Sequence, residues 1–78
     1  MKEGRATTGP MVTIDVDEMR RRRQLQGLNQ ADLALAAKIH RSNISRLEGG
    51  HQLTVSPRMF ARICDALDVQ DRAELMAS

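Results

Sequence analysis

Residues 27–50 read GLNQADLALAAKIHRSNISRLEGG, and the fold turns on them. Asn29 is a good N-cap, and Leu33, Ala34 and Ala37 behind it share one helical face, which predicts a helix over 30–37. Lys38-Ile39-His40 breaks that period. A further helix is expected from Arg41 to Glu48, with Ile44 and Leu47 turned inward and Gly49-Gly50 ending it. Two short helices joined by a tight turn result. The outer face of the second carries Arg41, Ser42, Asn43 and Arg46, brought together by i, i+3 and i, i+4 spacing. A helix fits the major groove of DNA and reaches base edges with its first turn. Arginine can donate two hydrogen bonds to guanine, asparagine can pair with adenine, and serine can donate or accept.

Working outward, Asp15, Asp17 and Glu18 place negative charge where a first helix should begin, and Gly27 closes it. Beyond the Gly-Gly, Ser56-Pro57 starts a helix expected to run to Leu67, with a clean stripe of Phe60, Ile63, Cys64 and Leu67. A short fifth helix is expected over 70–77, docking Val69, Ala73 and Leu75. The alternation of Val12, Ile14 and Val16 is too brief for an independent strand; it either pairs with another segment or leads into the first helix. The expected fold is therefore all-α, a compact bundle of five helices with the helix-turn-helix at helices two and three. Residues 1–14, polar and containing Gly-Pro, are expected to form a flexible tail ahead of a domain over 15–78.

At 78 residues the chain allows one small domain, and its single Phe, with no Trp or Tyr, demands an aliphatic core. One cysteine, Cys64, rules out an intrachain disulfide and a cysteine-based zinc site, and suits a reducing compartment. His40 and His51 are too few for a metal site without other ligands, so no metal or cofactor is expected. No paired carboxylates, phosphate loop or activated nucleophile points to an enzyme. No apolar run approaches a membrane span or an export signal, so the expected location is the cytoplasm, at the nucleoid. The net charge of +2 conceals an asymmetry: residues 20–62 hold nine Lys or Arg against two acids, Asp32 and Glu48, between acidic flanks. A basic centre suits a polyanion, although a run such as Arg20 to Arg23 cannot turn every side chain to one partner.

GLNQADLA at 27–34 and IHRSNISRLEGG at 39–50 resemble the lambda-repressor/Cro-type helix-turn-helix (xenobiotic-response-element) family. The resemblance spans about Asp17 to Leu75 and includes ALDV at 66–69, which looks like the family's usual ALGV. It implies a DNA-binding domain in which Arg41, Ser42 and Arg46 read bases and Asn43 touches base or phosphate. It implies that Gln30 contacts a phosphate and props the recognition helix, that Ala34 lets the two helices cross closely, and that Arg23 and Glu48 form a partly buried salt bridge. Asn29, His40 and the loop containing Gly50, His51 and Gln52 are further expected phosphate contacts, the loop through its main-chain amides. The sequence departs from the family in three places: Lys38 replaces the turn glycine, His40 replaces a Ser or Thr cap, and Arg22 stands where helix one often has Leu. Leu25 is expected to take over that last packing role.

The implied function is sequence-specific regulation of transcription by a homodimer on an inverted-repeat operator, as a repressor or autoregulatory controller of phage or plasmid type. The contrasting reading is an antitoxin or protein-binding adaptor, with a toxin or RNA polymerase as partner. It would use Leu35, Leu53, Val55 and the Val12–Val16 segment as its surface.

Overall fold

The computed structural model describes residues 10–77. It contains four α-helices: α1 (Val16–Leu25), α2 (Gln30–Ala37), α3 (Arg41–Glu48) and α4 (Pro57–Ala66). Two short strands, β1 (Val12–Thr13) and β2 (Thr54–Val55), and a 3₁₀ turn over Arg72–Leu75 complete it. Each α-helix starts on a side chain that accepts from a backbone N–H of its own first turn: Asp15, Asn29, His40 and Ser56. Asn29 and Asp32 make a reciprocal capping box.

All four helices end in the same way. A residue with positive φ (Gly27, Lys38, Gly50 or Asp68) reverses the chain. The amide that follows it donates back into the last turn: Leu28 to Arg23, Ile39 to Ala34, His51 to Arg46 and Val69 to Cys64. These are Schellman closures. They let four short helices pack at sharp angles with few connecting residues.

The core is aliphatic, as the composition requires: Met19, Leu33, Ile44, Leu47, Ile63 and Leu75 are fully buried, and Phe60 is the one aromatic among them. Cys64 lies in the same core, where burial pushes its thiol pKa up. Among the described residues no helix is long and apolar enough to cross a membrane.

Two expectations fail. The fold is mostly helical but has four α-helices and a small sheet, not five helices. Residues 12–14, grouped above with the tail, belong to the domain; residues 1–9 lie outside the described residues. β1 pairs antiparallel with β2, Val12 opposite Val55 and Thr13 opposite Thr54. On the other side Ile14 bridges Met76, the Ala77 amide donates to the Thr13 carbonyl (2.9 Å), and the Asp15 amide donates to Leu75 (2.8 Å). Drawing residues 76–77 into this extended pairing leaves room for only a 3₁₀ turn where a fifth helix was expected.

Lys38 and Asp68 adopt left-handed backbone, with φ of 60° and 57°, at positions that favour glycine. For an L-residue that conformation costs about 1–2 kcal/mol, less for Asp, partly offset because glycine loses more entropy on folding. Lys38→Gly should therefore stabilise the domain by about 0.5–1 kcal/mol, and Asp68→Gly by less. Thermal melting followed by far-UV circular dichroism tests this; an unchanged or lower Tm for Lys38→Gly would contradict it.

Candidate nucleic-acid interface

The second helix of the pair, α3, rests on α2 and α1 through Ile44 and Leu47, both fully buried, while Ala34 is buried on α2. Its opposite face is polar. Arg41 and Arg46 are exposed there, with Ser42 and Asn43 half-buried beside them. The structure thus brings all four side chains to one helix. His40 caps it: its Nδ1 accepts from the Ser42 amide (3.1 Å) and lies 2.8 Å from the Ser42 hydroxyl. Because a backbone N–H can only donate, Nδ1 is the acceptor there, which leaves the Nε2–H free to be donated outward.

Arg46 is held on two sides. Its Nη2 donates to Asn43 Oδ1 (3.0 Å) and its Nε to Gln52 Oε1 (3.3 Å). Gln52 Nε2 donates in turn to the Thr54 carbonyl (2.9 Å). The loop after α3 differs from the expectation that its amides would be free for phosphate. The Gly50 amide donates to Leu47, and the His51 and Gln52 amides both donate to Arg46. They close the helix end instead, so what His51 presents outward is its exposed ring.

Glu48, at the last position of α3, has a side chain only 4% exposed. Arg23 Nε and Nη2 donate to its two oxygens at 2.7 and 2.8 Å, and Gln30 Nε2 donates to Oε1 at 3.1 Å. Arg20 Nη2 donates to the Glu48 carbonyl (2.6 Å), and Arg23 Nη1 to the Leu28 carbonyl (2.8 Å). One carboxylate therefore joins α1, α2 and α3. Burial pushes its pKa up, but the Arg23 and Gln30 hydrogen bonds and the charges of Arg23 and Arg20 outweigh this and hold it below the usual carboxylate value. Gln30, half-buried, is tied to α3 by this bond, and Asn29 is exposed at the α2 N-terminus.

The sequence matches the helix-turn-helix domain family over residues 16–77. The chain belongs to that family. Its structure is similar to that of the restriction-modification controller protein C.AhdI from Aeromonas hydrophila, at 29% identity and a TM-score of 0.68, covering 76% of this chain and 86% of that one. It is also similar to the N-terminal DNA-binding domain of SinR from Bacillus subtilis, at 24% identity and a TM-score of 0.67, covering 70% and 80%. The second likeness speaks for the fold alone. These neighbours are of the Cro/lambda-repressor type that residues 27–34 and 39–50 resemble. No curated protein sequence matches. Family and fold are those of a helix-turn-helix DNA-binding domain.

In this helix-turn-helix domain much of the basic centre is neutralised internally. Arg21 and Arg22 both bind Glu18, and Arg22 reaches Glu74 (2.8 Å). Arg20 and Arg23 meet Glu48. Leu25 does not replace Arg22 in the core: it is 71% exposed, while the half-buried Arg22 ties α1 to the C-terminal turn through charge. Arg41, Arg46, Lys38, Arg58 and Arg62 have no carboxylate within ion-pair distance among the described residues, and these carry the positive field outward. The sequence count overstated that field because a run of arginines does not reveal which acids will meet it.

The Glu48 site makes two predictions. Glu48→Ala leaves Arg23 charged and only 12% exposed, without its partner, and should cost about 3 kcal/mol in urea unfolding; a loss under about 1 kcal/mol would show the pair to be no more than a surface bridge. The second concerns acid. Hydrogen bonds from Arg21 and Arg22 hold Glu18 at about 2, against an ordinary 4.5, and Glu48 is lowered as well. A carboxylate lowered in the folded state contributes stability above its unfolded pKa and loses it as pH falls through the folded one. Tm should therefore drop between about pH 4.5 and pH 2. Glu18→Gln should flatten that drop, and an identical acid limb in the variant would exclude Glu18 as a source.

Proposed function

We propose that this domain is a sequence-specific transcriptional regulator, a repressor or autoregulatory controller, that binds an inverted-repeat operator as a homodimer. The observation that carries the reading is the exposed face of α3, where Arg41, Ser42, Asn43 and Arg46 stand together while Glu48 fastens the helix from behind. In this reading those four side chains meet base edges. Asn29 and Gln30 at the start of α2, the Nε2–H of His40 and the His51 ring meet phosphates, and Gly50 lets the backbone come close. The likeness to a restriction-modification controller supports the controller role.

One recognition helix reads only a few base pairs. Two copies about 34 Å apart on a twofold axis would read a palindrome and compete with bulk DNA. The operator places the protein at the nucleoid in the cytoplasm. A protein-binding role, as antitoxin or adaptor, is favoured by the exposure of Leu35 on α2 (80%) and of Leu53 (56%); Val55, expected on the same surface, is buried.

Selection from a randomised DNA pool at about 150 mM salt decides between them. An enriched inverted repeat is expected. Retention without sequence preference, vanishing as salt rises, would transfer the case to the protein-binding role. Arg41→Ala should relax one base position per half-site by about 1–3 kcal/mol; unchanged preference would remove Arg41 from the reading set.

A further inference from the structure

The side-chain bonds around Arg46 run in one direction. The Thr54 carbonyl can only accept, so Gln52 must turn its amide nitrogen to Thr54 and its oxygen to Arg46. Thr54 lies in β2, paired with Thr13 of β1, so the anchor is part of the sheet. On the other side the guanidinium can only donate, so Asn43 must face it with its oxygen. Arg46 is thereby fixed through Nε and one hydrogen of Nη2. Both hydrogens of Nη1 and the second of Nη2 remain to be donated.

From this we infer that Gln52 and Asn43 are positioning residues that aim Arg46 at a guanine, and that Gln52 serves this purpose in place of a phosphate contact. The inference rests on the DNA-reading role of α3 proposed above. Guanine is the base whose major-groove edge offers two adjacent acceptors, N7 and O6, which the paired N–H groups of a guanidinium match. Adenine offers one acceptor beside a donor, thymine a single acceptor, and cytosine a donor. The same array changes what Asn43 can read. Pairing with adenine uses both the oxygen and the nitrogen of its amide, and one lone pair of that oxygen is taken by Arg46, which restricts the direction from which adenine can approach. Asn43 keeps both amide N–H groups and the second lone pair of its oxygen for a base. Holding Arg46 before DNA arrives also reduces the rotamer freedom that binding would otherwise remove.

The test is selection from randomised DNA with the wild type and with Arg46→Ala, Gln52→Ala and Gln52→Glu, alongside their melting temperatures. The wild type should select one strong guanine per half-site that Arg46→Ala erases. Gln52→Ala should lower preference at that same guanine about tenfold, the scale of one bidentate contact, with other positions and Tm unchanged. Gln52→Glu keeps an acceptor for Arg46 but has no N–H for the Thr54 carbonyl, so it should retain part of the guanine preference, less than wild type and more than Gln52→Ala, while its negative charge weakens binding to every sequence. If Gln52→Ala weakens all sequences equally and leaves the guanine preference intact, Gln52 is a phosphate contact and the inference is overturned, although the DNA-reading role survives. If the wild type selects no sequence at all, that role fails and the inference fails with it.

Discussion

The placement of α3 depends on the carboxylate of Glu48. An eight-residue helix is too short to be stable in water by itself, and α3 buries only two apolar side chains, Ile44 and Leu47. Those two side chains hold it against the core but leave its rotation and tilt loosely defined. Glu48 supplies the missing constraint. Its oxygens take Arg23 from α1 and Gln30 from α2 in fixed directions, and Arg20 ties the adjoining carbonyl to α1. Desolvating a carboxylate is expensive, and such a pair is weak evidence for stability as such. Here it sets orientation, since a bidentate Arg–carboxylate contact tolerates little misalignment.

The same principle explains α1. That helix buries one residue fully, Met19, and offers no broad apolar stripe. Directional bonds attach it instead: Arg20 and Arg23 to the end of α3, Arg22 to Glu74, and the Gln26 amide to the Leu67 carbonyl (2.6 Å). A chain of 78 residues with a single aromatic side chain has limited apolar area to bury, and polar contacts between elements make up part of the deficit.

The parts of this architecture that were legible in advance depend on near neighbours. Asn29 and Ser56 announced α2 and α4 by capping chemistry, and the stripe through Phe60, Ile63 and Cys64 gave away the inner face of α4. The bounds of α2 and α3 follow from apolar period and terminal residues. What stayed hidden depends on distant partners. Nothing near Val12 indicates that it will lie opposite Val55, and nothing near Gln70 indicates that residues 76–77 will leave the helical path to meet Thr13. The identity of the polar face on α3 was readable from i, i+3 and i, i+4 spacing. The direction of each amide was not, because the Gln52 side chain is oriented by the Thr54 carbonyl and the loop amides by the carbonyls they close upon.

The adjacency of Thr13 and Ala77 has a consequence for synthesis. A ribosome delivers residue 13 first among these partners and residue 77 last. The edge of β1 that faces away from β2 therefore waits, unsatisfied, until nearly all of the described chain has emerged. The helical pair α2–α3 has its partners close in sequence and is free to form early. Final closure is a late event, and the nascent chain exposes a strand edge to its surroundings throughout the interval.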